Sequence, residues 1–233
     1  MEKIYIYTGV CPPAPAPLSY MHQREGTMEP DYQEFVQEYI RACRRGSELG
    51  LFRFNSGNLS LRVGENRLII KTMGSSMGAL APEEVALCSI AGGEPLDGKT
   101  PSKEIGFHAG IMRVREDAGS VFHFQSTYAT AVSCMKETVQ SFDIIPEIPH
   151  YIGSPAYVEY HLPGSHELAR AVVDAARAHD MVILRNHGLV TVGKDLHDVL
   201  LKAGYFEMAC EILIHVKNLS IIPKREAALL RRR

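Results

Sequence analysis

Residues 120–134 read SVFHFQSTYATAVSC. The first five form a short apolar run of strand length, and 128–134 carry a helical pattern, so a strand passes directly into a helix. Side chains alternate along a strand, which sends His123 and Gln125 to one side and Phe124 into the core. Two imidazoles at this i, i+2 spacing make a good pair of ligands for a divalent metal. Here the second member is Gln125, whose amide oxygen is a neutral and weaker ligand. A hydrogen-bonded pair at a strand end is the plainer alternative.

Working outward, the same alternation of strands and helices covers 31–233. Phe35, Tyr39, Cys43 and Leu49 fall near one face of a helix starting at Asp31, with Gly50 at its C-cap. Strands are predicted at 58–63 and 67–71, as a hairpin around Gly64-Glu65-Asn66. A Gly/Ser loop follows at 72–81, and Pro82-Glu83-Glu84 opens a short helix. Ser102 is read as the N-cap of a helix over 103–114. Residues 145–151 and 156–160 are read as strands or strand edges, and 167–179 as a helix after Gly164-Ser165. Strands at 181–184 and 188–192 flank a turn at Asn186-His187, and a long helix spans 196–216. There is no strict βαβ repeat and no linker that would split the chain. The expectation is a proline-rich arm over 1–30 followed by one α/β domain over 31–233.

Composition narrows the class. The 233 residues are 45% hydrophobic and 22% charged, and 25 Lys+Arg nearly balance 27 Asp+Glu. A nucleic-acid module carries a basic surplus, so nucleic acid is not expected as a partner. No run approaches the roughly 18 apolar residues of a membrane span, and the N-terminus lacks the pattern of a signal peptide. The five cysteines are widely spaced with no CxxC, which argues against a disulfide framework and for a reducing cytoplasm.

Three more segments carry candidate chemistry. His187, in the tight turn before Gly188, is a candidate third ligand. In Thr100-Pro101-Ser102-Lys103-Glu104, Ser102 at a helix start presents N–H groups to an anion, Lys103 adds a charge and Glu104 is a candidate general base. The runs Asn55–Ser60 and Gly74-Ser75-Ser76 are small-residue loops of the kind that hold phosphates. Taken singly, each is also what an ordinary turn or cap would contain.

Their order along the chain is more telling. GLFRFNSGNLSLR (50–62), KTMGSSMGALAPEEV (71–85), TPSKEIGFH (100–108), VFHFQSTYATAVS (121–133), IPEIPHYIG (145–153) and LRNHGLVTVG (184–193) resemble, collinearly, the class II aldolase/adducin family. The resemblance implies a three-layer α/β/α fold with a mainly antiparallel sheet. It implies a metal-dependent carbon–carbon lyase working through a metal-stabilised enediolate on a small phosphorylated ketose or related hydroxy acid. An epimerase, dehydratase, decarboxylase or non-catalytic adducin-like protein on the same scaffold is the alternative.

By this resemblance His123, Gln125 and His187 take the metal positions and Glu104 the acid/base position. Asn58, Gly74, Ser102 and Lys103 line the phosphate site. Tyr151 acts as a proton donor across a subunit interface in a homotetramer. The implied ion is zinc, with Mn2+, Co2+ or Fe2+ as alternatives because Gln125 stands where most members have histidine. Lys103 also departs from the family, replacing the second serine of its SSE phosphate loop. His108, at i+4 from Glu104, is read as a structural histidine.

Overall fold

A computed structural model describes residues 29–231. Seven strands are formed by Asn58–Arg62 (β1), Arg67–Lys71 (β2), Val85–Ser89 (β3), Ser120–Phe124 (β4), Ala156–Val158 (β5), Met181–Leu184 (β6) and Gly188–Gly193 (β7). They make one sheet in the order β3-β2-β1-β4-β7-β6-β5. Every neighbouring pair is antiparallel except β5 and β6. The longer helices are Glu29–Glu48 (α1), Ile105–Val114 (α2), Thr127–Ser133 (α3), His166–Ala176 (α4), Leu196–His215 (α5) and Lys224–Leu230 (α6).

Alternation along the strands divides the core into two layers. Leu59, Ile69, Phe122, Phe124 and Leu189 pack with α1, α3 and α5. Leu68, Ile70, Val121, Val190 and Val192 pack with α2 and α4. The result is the expected α/β/α sandwich. Burying a side chain such as Phe122 contributes roughly 2 kcal/mol, which makes register costly to shift. Tyr39 ties α1 to the hairpin, donating to the Leu59 carbonyl at 2.7 Å and accepting from the Lys71 amide at 2.9 Å. The start of α3 is fixed from α5, where the Glu207 carboxylate accepts from the Tyr128 and Ala129 amides at 2.9 and 2.7 Å. A carboxylate at free helix N–H groups caps them and complements the dipole.

Several expectations are corrected. Helix α2 begins at Ile105, not at residue 103. Ser102 does not cap it; its Oγ lies 3.4 Å from the Glu104 amide. Residues 145–151 are not a strand. Pro146 and Pro149 lack the N–H groups a ladder needs, and Ile148–Ile152 instead form a wide helical turn that buries both isoleucines. Strand β3 was not expected from its short, non-alternating sequence; it forms by pairing with β2 at the sheet edge. Leu49 is exposed, beyond the helix end. Helix α6 was also unexpected. It is held through Arg231, which makes two bonds to Asp143, at 2.7 and 2.8 Å. The proline-rich arm predicted over 1–30 lies outside the described residues, apart from the first turn of α1.

Gly57, just before β1, has φ +71°, and a Cβ there would lie 2.6 Å from the His123 carbonyl oxygen. Left-handed backbone costs an L-residue about 1–2 kcal/mol before the clash is counted. Gly57→Ala should therefore lower stability by roughly 2 kcal/mol or more, read as a reduced urea midpoint.

Candidate metal centre and substrate pocket

Three side chains from separate parts of the chain meet at one end of the central strands. His123 stands near the end of β4, 1% exposed. Its Nδ1 lies 2.9 Å from the Leu189 carbonyl. A carbonyl can only accept, so Nδ1 carries the hydrogen and Nε2 keeps its lone pair. His187 sits in the turn into β7, next to Asn186 with its left-handed φ of 56°. Its ring meets that of His123 edge-on, with centroids 4.8 Å apart. Glu104 enters just before α2. Its Oε2 is 3.5 Å from His123 Nε2, and its Oε1 is 3.4 Å from His187 Nε2. The donor atoms of the three residues all lie within 4.8 Å of one another.

Whether these residues suit a metal can be judged from their unmet bonds. Glu104 Oε1 and His187 Nδ1 are buried without a hydrogen-bond partner. An unsatisfied buried polar atom costs about 1–3 kcal/mol. Two imidazoles and a carboxylate within mutual reach, with lone pairs unclaimed, fit a divalent transition metal.

A relay of hydrogen bonds fixes the carboxylate from behind. Asn58 Nδ2 donates to Glu104 Oε2 at 2.8 Å. Asn58 Oδ1 therefore accepts, and its partner is His108 Nε2. The other ring nitrogen of His108 is then the acceptor for Ser60 Oγ, at 2.7 Å. The sequence reading of His108 as structural is right in kind, and the structure adds what it supports. Burial, opposed by Glu104 and aided by His123, pushes the His108 imidazole down to about 3. Burial, with His123, pushes His187 down to about 4, Glu104 opposing. For Glu104 itself, burial acts upward but is outweighed by His123, the Asn58 bond, His187 and His108, leaving its carboxyl below the usual range.

A pocket of about 210 Å³ opens over this cluster. Asn58, Gly74, Ser102, Lys103, Glu104, His123, Gln125 and His187 all line it, so of the residues to which the resemblance gives a metal, acid/base, phosphate or proton-donor position only Tyr151 is absent. Tyr151 is 40% exposed and stacks on Tyr205, with centroids 5.6 Å apart. Gln125 donates from its amide nitrogen to the His187 carbonyl, tying the end of β4 to the turn that carries the second imidazole. Gly188 makes that approach feasible, since a Cβ there would lie 2.8 Å from Gln125 Cγ. Lys71, also in the lining, was missed. Its signal was a lysine closing the apolar strand RLIIK just before a Gly/Ser loop.

Residues 37–214 match the family described as Class II Aldolase and Adducin N-terminal domain. The chain belongs to this family. A 3-oxo-tetronate 4-phosphate decarboxylase of Haemophilus influenzae is 34% identical over 162 residues, 68% of this chain and 77% of that protein. An L-fuculose phosphate aldolase of Methanococcus maripaludis is 31% identical over 184 residues, 79% of this chain and 98% of that one. The crystal structure of YgbL from Escherichia coli matches with a TM-score of 0.80 and 26% identity, covering 85% of this chain and 98% of that chain. The fold expected from the resemblance is thus the fold found, and the chain is an enzyme of the class II aldolase superfamily.

The two depressed histidines set a direction for acid stability. In the unfolded chain an imidazole takes up a proton below about 6.5; in the fold, His108 and His187 resist protonation until about 3 and 4. Stability of the metal-free protein should be level above pH 6.5 and fall as pH drops from there toward 4. Urea midpoints at pH 7.5, 6 and 5 read this directly, and His108→Gln should flatten the slope. A midpoint constant from 7.5 to 5 would contradict it.

Proposed function

We propose that the protein is a divalent-metal-dependent, aldolase-type carbon–carbon lyase for a small phosphorylated ketose or related hydroxy acid. The carrying observation is the buried Glu104 carboxylate, one oxygen fixed by Asn58 and the other unpartnered beside two imidazoles. His123, His187 and Glu104 would hold the ion, with Gln125 at its edge; zinc is the proposed metal, with Mn2+, Co2+ or Fe2+ as alternatives. A bound divalent ion supplies Lewis acidity, stabilising negative charge on substrate oxygens.

This chain's own residues do the rest. In the condensing direction Glu104 removes a proton from the donor carbon, and that carbon forms the new bond to the aldehyde carbon. Tyr151 gives a proton to the aldehyde oxygen, which becomes a hydroxyl; cleavage runs the same steps backwards. Because Tyr151 does not line its own chain's pocket, it would be presented by a second copy, in a proposed homotetramer. Asn58, Gly74, Ser102 and Lys103 would hold the phosphate. Four cysteines, Cys43, Cys88, Cys134 and Cys210, are free, which suits a cytoplasmic setting.

A second reading, decarboxylation of a phosphorylated 3-oxo acid, is favoured by the Haemophilus relative. It would use the same Glu104 to protonate the carbon left after CO2 departs. Offering the metal-loaded protein L-fuculose phosphate and 3-oxo-tetronate 4-phosphate separates the two by product, an aldehyde against CO2.

Glu104→Gln, assayed at saturating metal because Glu104 also faces the ion, should lower turnover by about 10²–10⁴-fold. A fully active variant would remove the acid/base assignment. Tyr151→Phe should lower kcat with little change in KM, and an unchanged kcat would exclude Tyr151 as the proton donor.

A further inference from the structure

The two imidazoles of the cluster are held in different ways. His123 is fixed through its ring: Nδ1 donates to the Leu189 carbonyl at 2.9 Å, so the ring cannot turn without losing that bond. A metal-binding histidine normally has such a partner for its second nitrogen, which sets both tautomer and aim. His187 has none. Its Nδ1 is buried and without a hydrogen-bond partner among the described residues. It lies in a turn beside Asn186, whose φ of 56° is left-handed. The aim of this ring therefore depends on where the backbone of the turn is held.

Gln125 holds it. Its amide nitrogen donates to the His187 carbonyl. A carbonyl only accepts, so this bond fixes which end of the amide faces the turn. The tether is itself anchored, since the Gln125 backbone amide donates to the carbonyl of buried Leu51 at 3.1 Å. Its side chain runs close over Gly188, where a Cβ would lie 2.8 Å from Gln125 Cγ and 3.2 Å from His123 Cε1. The buried, unclaimed oxygen of the cluster belongs to Glu104 and not to Gln125.

We propose that Gln125 is a positioning residue of the metal centre and not one of its ligands: it aims His187 through the main chain, and the ion rests on two imidazoles and one carboxylate. This rests on the reading that His123, His187 and Glu104 hold a divalent ion. As a ligand, a neutral amide oxygen would bring no charge to the ion. As a donor, the same amide places a ring whose Nδ1 has no partner. The strand alternation that puts His123 and Gln125 on one side thus serves both imidazoles, the first directly and the second through its turn.

Cobalt(II) is the probe, because its visible spectrum reports the ligands around it. It is titrated into the metal-free wild type and into Gln125→Leu, which keeps much of the side-chain volume and removes both amide polar atoms. Amide hydrogen exchange over 186–188 is followed in the same proteins without metal. Gln125→Leu should bind cobalt about tenfold more weakly, with the band positions of the bound ion unchanged. Its 186–188 amides should exchange roughly fivefold faster. Gln125→Glu, read only in the metal-free state, keeps the oxygens but has no N–H to give, and should show the same faster exchange. This second variant decides the matter if Gln125→Leu does not fold. Shifted cobalt bands in Gln125→Leu would make Gln125 a ligand and overturn the proposal. So would wild-type exchange in either variant, wild-type cobalt affinity in Gln125→Leu, or a wild type that binds no cobalt. The expected pattern in a protein that cleaves no sugar phosphate would instead retain this proposal and remove the lyase reading.

Discussion

The site is organised by a carboxylate that has been taken out of water. Glu104 is 9% exposed, and an ionised carboxyl in such a place is stable only if its oxygens are claimed by donors or cations. One oxygen is met by Asn58, which is held by His108, which is held in turn by Ser60. That relay joins β1 to α2 across one layer of the sandwich. The other oxygen is left to His187 and to whatever binds between the two imidazoles. Much of the surrounding structure can be understood as the means of keeping this one group in place.

The sheet serves that end through its register. Asn58 stands opposite His123, and His123 opposite Val190, so β1, β4 and β7 deliver the amide, the first imidazole and the start of the second imidazole's turn to the same end. These are the central strands, paired on both sides, where ladder hydrogen bonds and buried side chains allow least movement. The residues that must be stationary are therefore carried by strand ends and short turns. Of those proposed to contact the substrate's anionic group, Asn58 opens β1, and Gly74, Ser102 and Lys103 lie on loops.

How much of this could be read in the sequence depended on whether the determining force was local. The hairpin around Gly64, the turn at Asn186-His187 and the side shared by His123 and Gln125 follow from φ preferences and strand alternation, and all were legible. The wide turn at Ile148–Ile152 has proline-marked extended character locally and becomes helical because two isoleucines reach the core. Strand β3 exists through its partner β2. The bonds of His108 and Lys71 reach residues about 50 and 16 positions earlier, at Asn58 and Asn55, which no local pattern announces. Family resemblance pointed to residues that the fold brings to one pocket. It did not recover the relay behind them or the buried lysine, because those are properties of packing.

The C-terminal helix bears on the same distinction. Helix α6 packs on the Ile148–Ile152 turn, with the Leu230 carbonyl 3.4 Å from His150 Nδ1, and Arg231 is latched to Asp143 upstream of that turn. A chain shortened by its last ten residues would keep every group around Glu104 and lose the brace on the segment bearing Tyr151. On the proposed reading, in which Tyr151 serves the pocket of a second copy, the cost of trimming α6 would be borne by that copy.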